Sequence, residues 1–416
     1  MNNKKLLTIS ILAGLMMSVS ACAKTATTSK EVTTVTTKEA TTEAPTEATT
    51  KSEPETTTTA VIKPTETTKS SETKTTESNK TEHMSAEEAF ANMTLEEKIG
   101  QLFIVTPEQA GGYDDVTITV GGIIQMGGNV NSPEQIVDFN NELQNKSKYG
   151  LFIAVDEEGG RVARIGNNYN FDVPRYDSML SIGNTGNTEN ARSVGRTIGA
   201  YIKRYGFNVD FAPDADVFTN PNNTVIGDRA FSTNPQVASS MVSACVDGFH
   251  ESGIITSIKH FPGHGDTSED THLGTATMNK SWDELKSCEL VPFINNLDKT
   301  DMIMISHITL PQVTSDGLPA SLSRKIITKK LRGELGYSGI VITDALEMEA
   351  ISNMYTSAQA AVKAFTAGAD IILMPANLSG AMSGIREAVN NGEISEERLN
   401  ESVMKILRLK EKYGIL

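Results

Sequence analysis

From Met93 onward the chain alternates short, largely apolar runs with longer stretches in which apolar residues recur every three or four positions. The runs fall at 101–105, 120–126, 151–155, 207–212, 254–258, 302–305, 339–343 and 369–374. Apolar runs of this length, rich in β-branched residues and stopped by Gly or by charge, predict strands buried on both faces. The stretches between them predict helices, among them 133–148, 191–202, 235–252, 282–296, 323–335 and 357–367, with two more closing the chain. Pro133 sits just inside its helix start, where a missing N–H costs nothing. Thr94 followed by Glu97 makes a capping box before another helix. Eight strands alternating with helices predict one (β/α)8 barrel spanning residues 86–416. A doubly wound sheet is the alternative, but Gly111 and Gly112 after the first strand lack its phosphate-loop spacing. Gly195 and Gly199, four apart within a helix, read as a close-packing face.

The first 85 residues follow no such pattern. Residues 1–21 have a basic start, a short apolar centre and small residues before Cys22, as a secretory signal does; the centre is too short to span a bilayer comfortably. Val19, Ser20, Ala21 and Cys22 resemble a bacterial lipobox, which implies a lipidated Cys22 and a protein anchored to the outer face of the bacterial membrane. Residues 22–85 are then dominated by Thr, Glu, Lys and Ser, cannot bury a core, and predict a disordered tether reaching roughly 45 Å. The formal net charge of -15 argues against a nucleic-acid partner, which requires a basic face. Cys245 and Cys288 provide no disulfide framework and read as free thiols.

Chemistry concentrates at the ends of the apolar runs. The densest stretch is KHFPGHGDTSEDTH, Lys259 to His272, with three of the six histidines. Three readings stay open on these residues alone. His260, His264 and His272 have the makings of a zinc site; Asp270 and His272 have those of a carboxylate-oriented imidazole that moves protons; or the glycines and Pro262 shape a turn whose histidines only satisfy hydrogen bonds. Elsewhere the run ends carry Asp156, Arg164, Asp214, Asp216, His307 and Asp344, and Arg229 lies on a following loop. Cations mixed with carboxylates suit a polyhydroxylated ligand, to which each offers paired hydrogen bonds.

The motifs DEEGGRVAR (Asp156 to Arg164), GDRAFS (Gly227 to Ser232), KHFPGHGDTSEDTH and TDALEM (Thr343 to Met348), with MTLEEKIGQLF at Met93, resemble glycoside hydrolase family 3, specifically its β-N-acetylglucosaminidase branch of peptidoglycan recycling. The resemblance implies a retaining, exo-acting β-N-acetylhexosaminidase working through a covalent glycosyl-enzyme on peptidoglycan fragments or chitooligosaccharides, as a monomer, with neither metal nor other cofactor. It implies Asp344 as nucleophile, His272 as acid/base and Asp270 as the group orienting its ring. Asp156, Arg164, Arg229, Lys259 and His260 would hold the terminal sugar, and His264 would shape the GHG turn. Most glycosidases use two carboxylates, roughly 5 Å apart when configuration is retained. An imidazole with its ordinary pKa near 6.5 exchanges protons at neutral pH without such tuning. The family's β-glucosidases draw their acid from a second domain, for which no sequence remains after the eighth run. A β-glucosidase, a metal-dependent hydrolase and a tethered sugar-binding lipoprotein are the alternative readings.

Overall fold

The structure is a computed structural model that describes residues 84–416 apart from 115, 269–273 and 275. The expected signal sequence, Cys22 and all of the expected tether but Met84 and Ser85 therefore lie outside the described residues, as do Asp270 and His272. Everything described belongs to one unit, Ser78–Leu416.

Eight parallel strands form the centre: β1 (Phe103–Val105), β2 (Gly122–Ile124), β3 (Phe152–Val155), β4 (Val209–Asp210), β5 (Ile255–Phe261), β6 (Met302–Ile305), β7 (Ile340–Thr343) and β8 (Ile372–Leu373). Each falls within a predicted run except β5, which starts in the run 254–258 and continues through Lys259 and His260 to Phe261. They are bonded in the order β7-β6-β5-β4-β3-β2-β1-β8. The two ends of that sheet meet through an Ile342–Ile371 bridge, where the Thr343 N–H donates to the Ile371 carbonyl at 3.1 Å and the Ile371 N–H to the Val341 carbonyl at 3.0 Å. The sheet is thus a parallel α/β barrel with a narrow seam between β7 and β8. Every strand residue is buried, as expected where side chains fill the barrel on one side and meet helices on the other.

The helices follow the amphipathic pattern with two informative differences. The expected helix over 282–296 is two pieces, Trp282–Ser287 and Val291–Ile294. Pro292 lacks an N–H and its ring crowds the carbonyl four residues back, at Cys288, where the chain leaves helical geometry. The expected helix over 323–335 is a wide, π-type helix, Lys325–Glu334, ending with a bond from the Leu335 N–H to the Lys330 carbonyl five residues earlier. The glycine pair does close-pack: a Cβ on Gly195 would sit 2.2 Å from the Cys245 carbonyl oxygen, so helix Thr188–Arg204 lies directly on helix Pro235–Glu251. Cys245 is buried, Cys288 half-buried, and both are free thiols.

Candidate active site

The carboxyl ends of the strands enclose a cavity of about 230 Å³. Beyond β3 the chain makes a small hairpin, Glu157–Gly159 against Val162–Ala163. Its turn depends on glycine: Gly159 has φ 90°, and a Cβ there would lie 2.7 Å from the Met179 methyl carbon. The hairpin sorts its three acidic residues. Glu157 faces away from the cavity and accepts from the Ile165 and Gly166 N–H groups and the Tyr201 hydroxyl, which fixes the hairpin. Asp156 and Glu158 face inward, and the returning strand brings Arg164 Nη2 to 3.3 Å from Asp156 Oδ2.

Pairing across strands completes the wall. Lys259 Nζ lies 2.7 Å from both Asp156 Oδ1 and Glu158 Oε1. Arg229 grips Glu158 bidentately through Nε at 2.8 Å and Nη2 at 2.7 Å, the strong geometry for a guanidinium and a carboxylate. Burial alone would raise both acids. Lys259 and Arg164 instead hold Asp156 below the usual carboxylate range, and Arg229 and Lys259 hold Glu158 below it. Lys259 and His260 are neighbours that regular strand alternation would send to opposite faces, yet both line the cavity. The register with β6 shifts between Ile258 and Phe261, and that irregularity admits both side chains.

His260 has a determined tautomer. Arg229 Nη2 approaches its Nε2 at 3.2 Å and can only donate, so Nε2 accepts and Nδ1–H donates to Asp216 Oδ2 at 2.8 Å. Burial, reinforced by Arg229, lowers its pKa to about 4, so the ring is neutral at pH 7. Asp214, Asp216 and His260 place one ligand atom each within 4.8 Å of one another. A dication does not suit them. The Arg229 guanidinium already stands 3.6 Å from Asp214 Oδ2 and occupies the His260 Nε2 lone pair, while burial and the neighbouring Asp216 push Asp214 up to about 7. His264 anchors the turn by donating its N–H to Asp216 Oδ1 at 2.6 Å, and its ring also lines the cavity.

Asp344 follows β7 and stands half-buried in the cavity wall. Burial pushes its carboxyl up, but the His307 and His260 rings and the Ala345 N–H, which donates to Oδ1 at 2.8 Å, outweigh it and leave the pKa lowered. His307 itself lies behind this wall, bonded to the Ala345 carbonyl at 2.9 Å and to Ser321 Oγ at 2.8 Å. Asp156, Arg164, Arg229, Lys259, His260 and Asp344 are thus gathered around one cavity. Sequence reasoning passed over Glu158, although a third acid straight after a buried strand is a usable signal. It also missed Glu347 and four lining methionines, Met126, Met304, Met348 and Met374; a methionine at a strand end looks like any core residue. Burial raises the pKa of Glu347.

A parallel barrel whose charged residues converge at the carboxyl ends of its strands is an enzyme of the (β/α)8 class. Residues 94–409 match the Glycosyl hydrolase family 3 N terminal domain, and the chain belongs to that family. It is 37% identical over 322 residues to Beta-hexosaminidase A of Pseudoalteromonas piscicida, covering 70% of this chain and 53% of that protein; the chain spans about half the length of that relative. Among solved structures it is similar to a glycoside hydrolase family 3 beta-N-acetylglucosaminidase from Paenibacillus sp. str. FPU-7, with TM-score 0.73 and 37% identity over 78% of this chain and 63% of that one. It is also similar to Zn bound CbsA from Thermotoga neapolitana, with TM-score 0.69 and 27% identity over 76% of this chain and 68% of that one.

Proposed function

We propose that the protein is a retaining, exo-acting β-N-acetylhexosaminidase that removes terminal non-reducing β-N-acetylglucosamine from peptidoglycan fragments or chitooligosaccharides. The observation that carries this reading is Asp344, an acid held in its anionic form in the wall of a cavity where Asp156, Glu158, Arg164, Arg229 and Lys259 are paired with one another. At about 230 Å³ the cavity lies below the usual range for drug-sized ligands and fits a single sugar ring. Likeness to the beta-hexosaminidase relative and to the beta-N-acetylglucosaminidase structure supports the acetamido sugar.

In this mechanism Asp344 attacks the anomeric carbon and forms a glycosyl-enzyme while the bond to the leaving oxygen breaks. Asp156, Arg164, Arg229 and Lys259 hold the sugar hydroxyls, and His260, whose ring lines the cavity, positions Arg229 for that contact. His260 is neutral and fully hydrogen-bonded, so it does not supply the proton; His272, oriented by Asp270, protonates the leaving oxygen and later takes a proton from water. This reading calls for neither metal nor other cofactor; at Asp214, Asp216 and His260, the metal-ligand cluster among the described residues, Arg229 occupies the place a dication would need. The protein acts as a monomer. Cleavage after a signal sequence at 1–21, lipidation of Cys22 and a tether over 22–85 would hold the catalytic domain, 86–416, outside the cell at the bacterial membrane. The test is hydrolysis of a chromogenic N-acetylglucosaminide by the purified chain, with the glucoside as comparison. Turnover of the glucoside in preference would turn the assignment toward a β-glucosidase, and turnover of neither would sink it. For the anchor, Cys22→Ala should release the protein or leave it unprocessed, and finding unmodified full-length protein in the cytosol would refute it.

A further inference from the structure

Glu347 lies three residues beyond Asp344 and lines the same cavity, yet its carboxylate has no hydrogen-bond or ion-pair partner among the described residues. The other cavity acids are engaged: Asp156 by Arg164 and Lys259, Glu158 by Arg229 and Lys259, Asp344 by the Ala345 N–H. A carboxylate bonded to solvent rather than to a protein cation can exchange that water for a hydroxyl or ammonium group of what enters. The placement of Glu347 is not loose. Its own N–H donates to the Met374 carbonyl at 3.0 Å, which ties its backbone to the end of β8.

Two further observations say which part of a ligand it meets. Glu347 is solvent-exposed while Asp344 is half-buried, so the unpartnered carboxylate stands at the mouth. In an exo-acting pocket the terminal sugar fills the floor, and the leaving sugar crosses the mouth. The charges decide the sign. Arg164, Arg229 and Lys259 are matched one for one by Asp156, Glu158 and Asp344, and His260 is neutral, so Glu347 is the unmatched negative charge among these lining groups.

We propose, on the hexosaminidase reading above, that Glu347 selects the leaving group, accepting hydrogen bonds from its hydroxyl or ammonium groups and repelling a leaving sugar that carries a carboxylate. Neutral chitooligosaccharides then outrank disaccharides ending in muramic acid with a free lactyl carboxylate. Both substrates present the same terminal sugar to Asp344, so their ratio isolates the mouth from the chemistry.

The experiment measures kcat/KM of the purified full chain on di-N-acetylchitobiose and on N-acetylglucosaminyl-β-1,4-N-acetylmuramic acid, in the wild type, Glu347→Gln and Glu347→Lys. The wild type should prefer chitobiose. Glu347→Gln should narrow that preference about fivefold, the effect of roughly one unit charge acting through water at contact distance. Glu347→Lys should narrow it further or invert it, chiefly through KM of the anionic substrate, and added salt should shrink the difference. A ratio constant within twofold across all three proteins would overturn the proposal. So would equal losses on both substrates, which would place Glu347 at the terminal sugar. A wild type that cleaves neither disaccharide nor the chromogenic glycoside overturns the hexosaminidase reading, and this proposal with it.

Discussion

Asp344 and Asp370 flank the barrel seam from opposite ends: one leaves the carboxyl end of β7, the other enters β8. Both have lowered pKa values against the pull of burial, Asp370 mainly because of Arg332 and Asp344 mainly because of His307. What separates them is unused bonding capacity. Asp370 is buried and takes Arg332 Nη2 at 2.5 Å, Ser402 Oγ at 2.6 Å and the Val341 N–H at 3.1 Å, with Arg398 at 3.5 Å. Among the described residues Asp344 receives a single N–H, from Ala345, and it lines the cavity. A perturbed acid alone therefore does not mark a reactive one; a perturbed acid with lone pairs to spare and room in front of it does.

The sharpest way to break this comparison is to remove each acid. Asp344→Ala should cost on the order of 10³-fold or more in kcat/KM on every substrate and leave thermal stability near that of the wild type. Asp370→Ala should do the reverse, lowering unfolding free energy by about 3–5 kcal/mol by stranding Arg332 and Arg398, with kcat of the folded protein little changed. Denaturant titration beside steady-state kinetics reads both, and the opposite pattern would undo the distinction.

A smaller effect tests the proton donor. His272→Ala should lose about 10² more on a disaccharide than on an activated aryl glycoside, whose phenolate leaves with little protonation. Deglycosylation also needs His272 as base, so a glycosyl adduct on Asp344 should accumulate and appear by mass spectrometry; a label on another carboxylate would displace Asp344 as nucleophile.

Smaller still is a pH effect at the closed end of the barrel. Lys410 is buried, donates to Gln101 Oε1 at 2.7 Å and the Gly150 carbonyl at 2.8 Å, and burial lowers its pKa to about 7. Unfolded, a lysine keeps its proton to about pH 10.4. Between these values the unfolded chain binds more protons, so stability should rise with pH, by up to about 2 kcal/mol from pH 7 to 9. Lys410→Met should flatten that slope in urea titrations. The smallest expected change is with chelation: exhaustive EDTA should alter kcat/KM less than about twofold, because Arg229 holds the place of a dication. Loss restored by zinc would reverse that assignment.

Much of this was legible in the chain itself. Eight largely apolar runs marked eight barrel strands, because a strand covered on both faces is apolar at most of its positions, and that requirement is local. Asp156, Lys259, His260 and Asp344 could be singled out because each follows such a run directly, where the barrel opens. The break at Pro292 was also written in the sequence, in the ring's clash with the Cys288 carbonyl, although amphipathic periodicity masked it. Other features exist only once the barrel closes. Glu157 and Glu158 are adjacent and chemically alike, and the hairpin alone makes one a structural anchor and the other a partner of Arg229. The tautomer of His260 depends on Asp216 and Arg229, brought to it from 44 and 31 residues away. Glu347 differs from any surface glutamate in that closure sets it in the cavity wall with no ion-pair partner among the described residues. Burial is encoded residue by residue along the chain. The pairing of charges depends on which strands become neighbours and in what register, and that is decided by the tertiary structure.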